Sequence, residues 1–267
     1  MRKLREPEVV KLMFPSFDEE KHELPQGAGT CTGVALFEEA IFRDGQLIRR
    51  NAWPFLEQEG DITYGSGGDR LKIVWLRTHT YADGTVGGPL AVIRSGERFA
   101  ELFAIGALRS HSERTKLGTA RMGTELLVTA ESDGCTGRKA GTPCQTVMSV
   151  LLPRRGKLGA LVEVPLERVG YSGKAERGTM GVLEYHLTSV PEFRADAIRL
   201  VEQVRVRDDT GLEVRKSELE RIFAIDDLGN AKASEPSLWD QAFKVDDVQA
   251  PPPRPREKSD AAAPRSR

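Results

Sequence analysis

Apolar and polar residues alternate most cleanly near the C-terminal end of the chain. Ile198, Leu200, Val204 and Val206 share one parity, and Arg199, Gln203, Arg205 and Arg207 share the other. A period of two marks a β-strand with one buried and one solvated face. Asp208-Asp209-Thr210-Gly211 then supplies residues that tolerate turn dihedrals, and Leu212, Val214, Ile222, Phe223 and Ile225 follow, so a long hairpin is expected over residues 198–225. On the return strand the apolar parity shifts between Val214 and Leu219. Lys216, Ser217 and Glu218 occupy the shift, which predicts a β-bulge or bend there and curvature in the sheet.

The same grammar recurs upstream. Residues 34–42, Asp44-Gly45 and Leu47-Ile48 read as a first hairpin, because a type I′ turn needs positive φ at both central positions; a short helix over 34–40 is the competing reading. A glycine-punctuated loop is expected over 51–70. Leu71-Lys72-Ile73-Val74-Trp75-Leu76, apolar on both parities, predicts a strand buried on both faces. Residues 90–93 and 99–105 around Ser95-Gly96 form a second hairpin, and 126–128 a strand. Residues 147–152 and 158–164 around Arg155-Gly156 form a third hairpin, and 182–187 a strand joined through 191–197 to the last one.

The second and third hairpins share a layout of apolar run, basic residue, glycine and apolar run. Their spacing is irregular and no blade signature recurs, so a meander is favoured over a propeller. No helical pattern of three turns interrupts 71–225, and strands without crossover helices pair antiparallel. The expected fold class is mainly β: an antiparallel meander of hairpins forming a curled sheet, an open barrel or a sandwich.

Residues 1–33 combine mixed charge with Pro7, Pro15, Pro25, Gly27, Gly29 and Gly33, and are expected to form a poorly ordered arm. Within it, 9–14 has the makings of a short edge strand over the body, since Phe14 and Phe17 are costly to leave in water. Residues 34–243 then form a single β-rich domain in which Leu238, Trp239 and Phe243 dock as a last short turn. Residues 244–267, with Pro251-Pro252-Pro253-Arg254-Pro255-Arg256, are expected to be a disordered tail with polyproline II character.

Composition narrows the partners. The 267 residues are 39% hydrophobic, enough for a real core, and 39 basic against 40 acidic residues leave a net charge of −1, which disfavours nucleic acid and anionic membranes. No run is long and apolar enough to span a bilayer, and Glu6, Pro7, Glu8 and Lys11 stand where the apolar core of a secretory signal would lie. Cys135 and Cys144 flank a loop rich in Gly, Lys and Arg; a disulfide there would point to an oxidising compartment such as a bacterial cell envelope, and two thiols are the alternative.

Candidate chemistry is sparse. Gly27, Gly29 and Gly33 have neither the preceding strand nor the following helix of a phosphate loop, and Gly65-Ser66-Gly67-Gly68 reads as a loop between hairpins. Gly170-Tyr171-Ser172-Gly173 lacks the spacing and the helix of a hydrolase elbow. His22, His79, His111 and His186 never fall at metal-ligand spacing, so no metal site and no cofactor is expected. His79, at the end of a buried strand, is the first histidine to test, and His111 is the second candidate. Arg199, Arg205, Arg207 and Arg215 suggest a basic stripe for a phosphate or carboxylate, with Arg205 and Arg207 the central candidates. Glu202, Glu213, Glu218 and Glu220 interleave with them, and cross-strand pairs on a solvated face are the simpler reading.

Two functions are compatible with these residues. The first is a non-enzymatic binding or scaffolding protein, plausibly of the bacterial envelope, with an apolar concavity for a lipid or hydrophobic peptide. The alternative is a hydrolase-like enzyme with loop residues gathered near His79 or His111.

Overall fold

The computed structural model describes residues 5–21, 49–50, 62–67, 70–81, 84–111, 114–137, 139, 141–176, 179–226 and 229–244. The hairpin expected over 34–48, the glycines at 27, 29 and 33, His22 and the proline-rich tail lie outside them. In chain order the elements are helix α1 (Glu6–Met13), then strands β1 (Arg49–Arg50), β2 (Ile62–Gly67), β3 (Leu71–Leu76), β4 (His79–Thr80), β5 (Thr85–Ser95), β6 (Ala100–His111) and β7 (Thr115–Met122). There follow β8 (Glu125–Asp133), β9 (Cys144–Arg154), β10 (Lys157–Glu176), β11 (Thr179–Phe193), β12 (Ala197–Arg207), β13 (Glu213–Ile225), β14 (Ala231–Ala233) and helix α2 (Leu238–Lys244). The strands form one curled sheet that does not close, antiparallel except for one parallel bridge between Lys157 and Ile105.

The sheet has two parts joined by the 20-residue strand β10. In the first, β2, β3, β5, β6, β10, β9, β8 and β7 are hydrogen-bonded in that order and curl until β2 meets β7. That seam carries no ladder among the described residues, yet the chains touch closely: a Cβ on Gly65 would stand 2.5 Å from Leu117 Cβ. The inside of the curl is filled by Ile73, Trp75, Leu90, Val92, Val128 and Leu151, with smaller neighbours. Where β6 crosses β10 the backbones nearly touch, and a Cβ on Gly106 would lie 2.0 Å from the Leu158 carbonyl oxygen.

The outer face of β3 and β5 is covered by α1. Val9, Val10, Met13, Phe14 and Phe17 pack on Val74, Leu76, Ala91 and Ile93, and all of these are fully buried. The N-terminal segment is thus a helix where an edge strand was expected. Its apolar residues recur three to four apart, and the proline sits in the first turn, where a missing N–H costs nothing. The Arg5 amide donates to Glu8 Oε2 at 2.9 Å and closes that turn.

The second part is the ladder of β10, β11, β12, β13 and β14. Its inner face is covered in two halves. Ile198, Leu200 and Phe223 pack against Leu127, Val150, Leu161 and Val164 from the outside of the curl. Val204 and Val206, with Tyr185 and Leu187, pack against Leu238 and Trp239 of α2.

Curvature comes from places other than the one expected. β13 pairs with β12 without a break through Lys216, Ser217, Glu218 and Leu219, and the one register shift lies between Val206 and Arg207, leaving Val214 as the extra residue. The apparent parity change arises because Val214, the extra residue, is exposed, while Arg215, Ser217, Leu219 and the residues after them keep one inward parity. The shifts that bend the sheet are in β10, between Ala160 and Val162 and between Pro165 and Glu167, and in the β5/β6 pair at Val92 and Ile93.

Two other segments depart from expectation. Residues 62–67 form β2 rather than loop: all six pair with β3, and Gly65, which reads in sequence as loop punctuation, is where β7 comes too close for a side chain. The expected connection over 191–197 is shorter, since Pro191 stays in β11 opposite Leu200, at a point where β10 no longer flanks it. The hairpins over β5/β6, β9/β10 and β12/β13 lie where the alternation placed them. Arg155 and Gly156 at the β9/β10 tip take φ of 49° and 78°, as a type I′ turn requires.

Candidate functional site

β10 leaves one neighbour before it leaves the other. β9 pairs with it only as far as Val169, which faces Cys144, while β11 stays with it to Glu176. Among the described residues, 170–176 are therefore paired along one side and open along the other. An open edge presents a row of backbone N–H and C=O groups that another extended chain can satisfy.

The loop before β9 fixes where the open edge begins. Cys135 and Cys144 stand at disulfide distance, with Cα atoms 5.0 Å apart. Asp133 organises the same loop: its Oδ1 accepts the backbone N–H groups of Cys135 and Thr136, each at 2.9 Å, and the Thr146 hydroxyl at 3.2 Å. Its Oδ2 accepts the Thr136 hydroxyl. That hydroxyl, and then the two amides, hold the Asp133 carboxyl at about 2, against the opposing effect of burial.

At this corner opens a cleft of about 520 Å³ lined by Pro143, Cys144, Arg168, Gly170, Tyr171 and Trp239 among others. Trp239 is held there by a buried ion pair. Glu202, fully buried on the apolar parity of β12, accepts from Arg221 of β13 and also accepts the Leu238 backbone N–H at 2.6 Å, which anchors the start of α2. Arg221 Nε in turn donates to the Glu235 carbonyl at 3.0 Å. Glu202 thus belongs to the buried seam between the two covers of the inner face, and not to the solvated face where it was expected among the glutamates.

Trp239 meets Tyr185 edge-on with centroids 6.5 Å apart, and the Arg168 guanidinium lies 4.6 Å from its ring centroid. Arg168 has no carboxylate partner among the described residues. Nearby, Ser172 Oγ is buried without a hydrogen-bond partner among them. A second cleft of about 360 Å³ shares Tyr171 and is lined also by Val182, Glu184, Arg207, Asp208 and Asp209; the Tyr171 hydroxyl donates to Glu184 Oε2 at 2.9 Å.

The residues singled out in the sequence are spread over the sheet. The backbone of His79 pairs with Gly87 and Arg50, and its side chain lies outside the described residues. His111 ends β6, pairs with Thr85, and its backbone N–H donates to Ser132 Oγ at 3.2 Å. His186, on the solvated face as expected, stands 3.0 Å from Glu167. Arg205 Nε donates to Gln203 Oε1 at 2.9 Å and lies 4.0 Å from Glu213, while Arg207 lines the second cleft. Arg199 bridges Glu220 at 2.6 Å and Glu192 at 2.9 Å. Glu220 first, then Glu192, raises the pKa of Arg199, and both carboxyls are lowered in return. The stripe is in that part a set of cross-strand pairs on a solvated face.

No group of three metal-ligating side chains forms among the described residues, and no helix among them is long and apolar enough to cross a membrane. Comparisons with protein-family models, curated proteins and solved structures returned no match. In sequence, the residues that make the corner point to other roles. Gly170-Tyr171-Ser172-Gly173, which lacks the spacing of a hydrolase elbow, lies inside β10, and the next described element is a strand. Trp239 docks on the body as its size predicts, and it also lines the cleft.

Proposed function

We propose that this is a non-enzymatic binding protein that takes up an extended polypeptide as an added strand on the open edge of β10. The observation that carries the reading is the coincidence of that edge with the aromatic cleft. The edge offers hydrogen bonds of no sequence preference, and the cleft beside it offers a pocket for a side chain, the combination by which strand addition acquires specificity. The tract nearest the cleft, Gly170-Tyr171-Ser172, carries no charged residue that would repel an added strand. The inside of the curl, occupied by its own side chains, is not needed for this role. An oxidising compartment such as a bacterial envelope suits the Cys135–Cys144 pair, and we place the protein there as part of the same proposal.

An array of synthetic decapeptides with alternating apolar and polar residues tests the reading on the full chain. Members of the array are expected to bind the wild type and to lose at least tenfold in affinity to Pro143→Glu, which puts a charge at the exposed rim of the cleft without touching the core. Absence of any binder, or binding unaffected by that substitution, would overturn the proposal.

A further inference from the structure

The geometry points to a partner recognised at its free C-terminus, an inference that rests on the strand-addition reading and sharpens it. β9 runs antiparallel to β10 and begins at Cys144, opposite Val169. A guest strand along 170–176 lies in line with β9, on the side from which β9 would be continued backwards. One end of that guest must meet Cys144 and Pro143, where the line is already taken. An antiparallel guest arrives there with its C-terminal end, and a parallel guest arrives with its N-terminal end.

Charge decides between the two. The residue at the blocked end is Arg168, half-buried over the Trp239 ring and without a carboxylate partner among the described residues. A guanidinium fork matches a carboxylate in two parallel hydrogen bonds and repels an ammonium group. The blocked line requires the guest chain to stop and the arginine favours an anion, and a terminal carboxylate meets both demands. The last side chain of the guest then enters the cleft beside Trp239, which selects an apolar residue. An acidic side chain within a longer chain supplies the same anion but has to continue past Pro143.

The test uses binders from the decapeptide array in three forms: free acid, C-terminal amide, and the free acid extended by four further residues. Each is titrated into the full-length wild type and into Arg168→Met, which keeps the packing on Trp239 and removes the charge. The expected result is that the free acid binds the wild type at least tenfold more tightly than the amide or the extended form, and that the acid loses this advantage in Arg168→Met. Equal affinity of all three forms, or an acid preference that survives in Arg168→Met, would overturn the C-terminal inference while leaving strand addition standing. A preference of the extended form over the amide, abolished by Arg168→Met, would move the anion to an internal side chain and also overturn it. Failure of every form to bind would remove the underlying reading and this one with it.

Discussion

Strands β3 and β5 are buried on both faces, between α1 outside and the packed interior of the curl, whereas β12 and β13 bury one face and give the other to ion pairs. Both regions are built from the same kind of hairpin. The curl spends its second face on stability, and the ladder leaves its second face to solvent and one stretch of edge without a strand partner among the described residues. That asymmetry is why the candidate site lies on β10 beyond Val169, where the strand passes from the first environment to the second.

The largest expected effect lies in the seam that holds α2 on the ladder. Replacing Glu202 by alanine leaves Arg221 buried without its anion and the Leu238 N–H without its acceptor. We expect a loss of about 3–5 kcal/mol in chemical denaturation, the range for breaking a buried pair from one side. Glu220→Ala, on the solvated face of the neighbouring strand, is expected to leave the denaturation midpoint unchanged within error. Equal effects of the two substitutions would erase the distinction between the faces. In the curl, Gly106→Ala drives a methyl group into the Leu158 carbonyl and should cost about 1–3 kcal/mol by the same assay, as overpacking does. A neutral result would show that β6 and β10 do not cross as closely as described.

A smaller effect separates the disulfide loop from both regions. The Asp133 carboxyl sits at about 2, below the ordinary value of about 3.9. Its folded form therefore binds a proton less readily than the unfolded chain. The stability it contributes is complete above about pH 4 and is lost as pH falls toward about 2. Asp133→Asn should flatten that part of the stability profile and leave the profile above pH 5 parallel to the wild type. An unchanged slope between pH 4 and pH 2 would contradict the hydrogen bonding drawn for this loop.

The ladder was the most legible region because one-sided burial writes itself as alternation. The exception is instructive: Glu202 shares the apolar parity of Ile198, Leu200, Val204 and Val206, yet its partner Arg221 is nineteen residues away and nothing local links them. The curl was legible as strands but not as a shape. Strands apolar on both parities hide a one-residue slip, so the bulges in β10 leave no trace in the pattern. β2 and β7 were not legible because Gly65, Gly67 and Gly118, with polar neighbours, interrupt their few apolar residues in the way that loop residues do. The site itself was the least legible. An open edge is defined by where a neighbouring strand stops, and Arg168, Tyr171 and Trp239 come together only through β10 and the docking of α2.

The measurement that tests the central claim most directly is amide hydrogen exchange on the full-length protein, with and without a free-acid decapeptide that binds it. Those amides within 170–176 that point away from β11 are expected to exchange quickly in the free protein for a strand position and to slow at least tenfold on binding, while the amides of β3 and β5 do not change. Protection that appears in the curl or on the outer face of β12, with 170–176 unaffected, would contradict it.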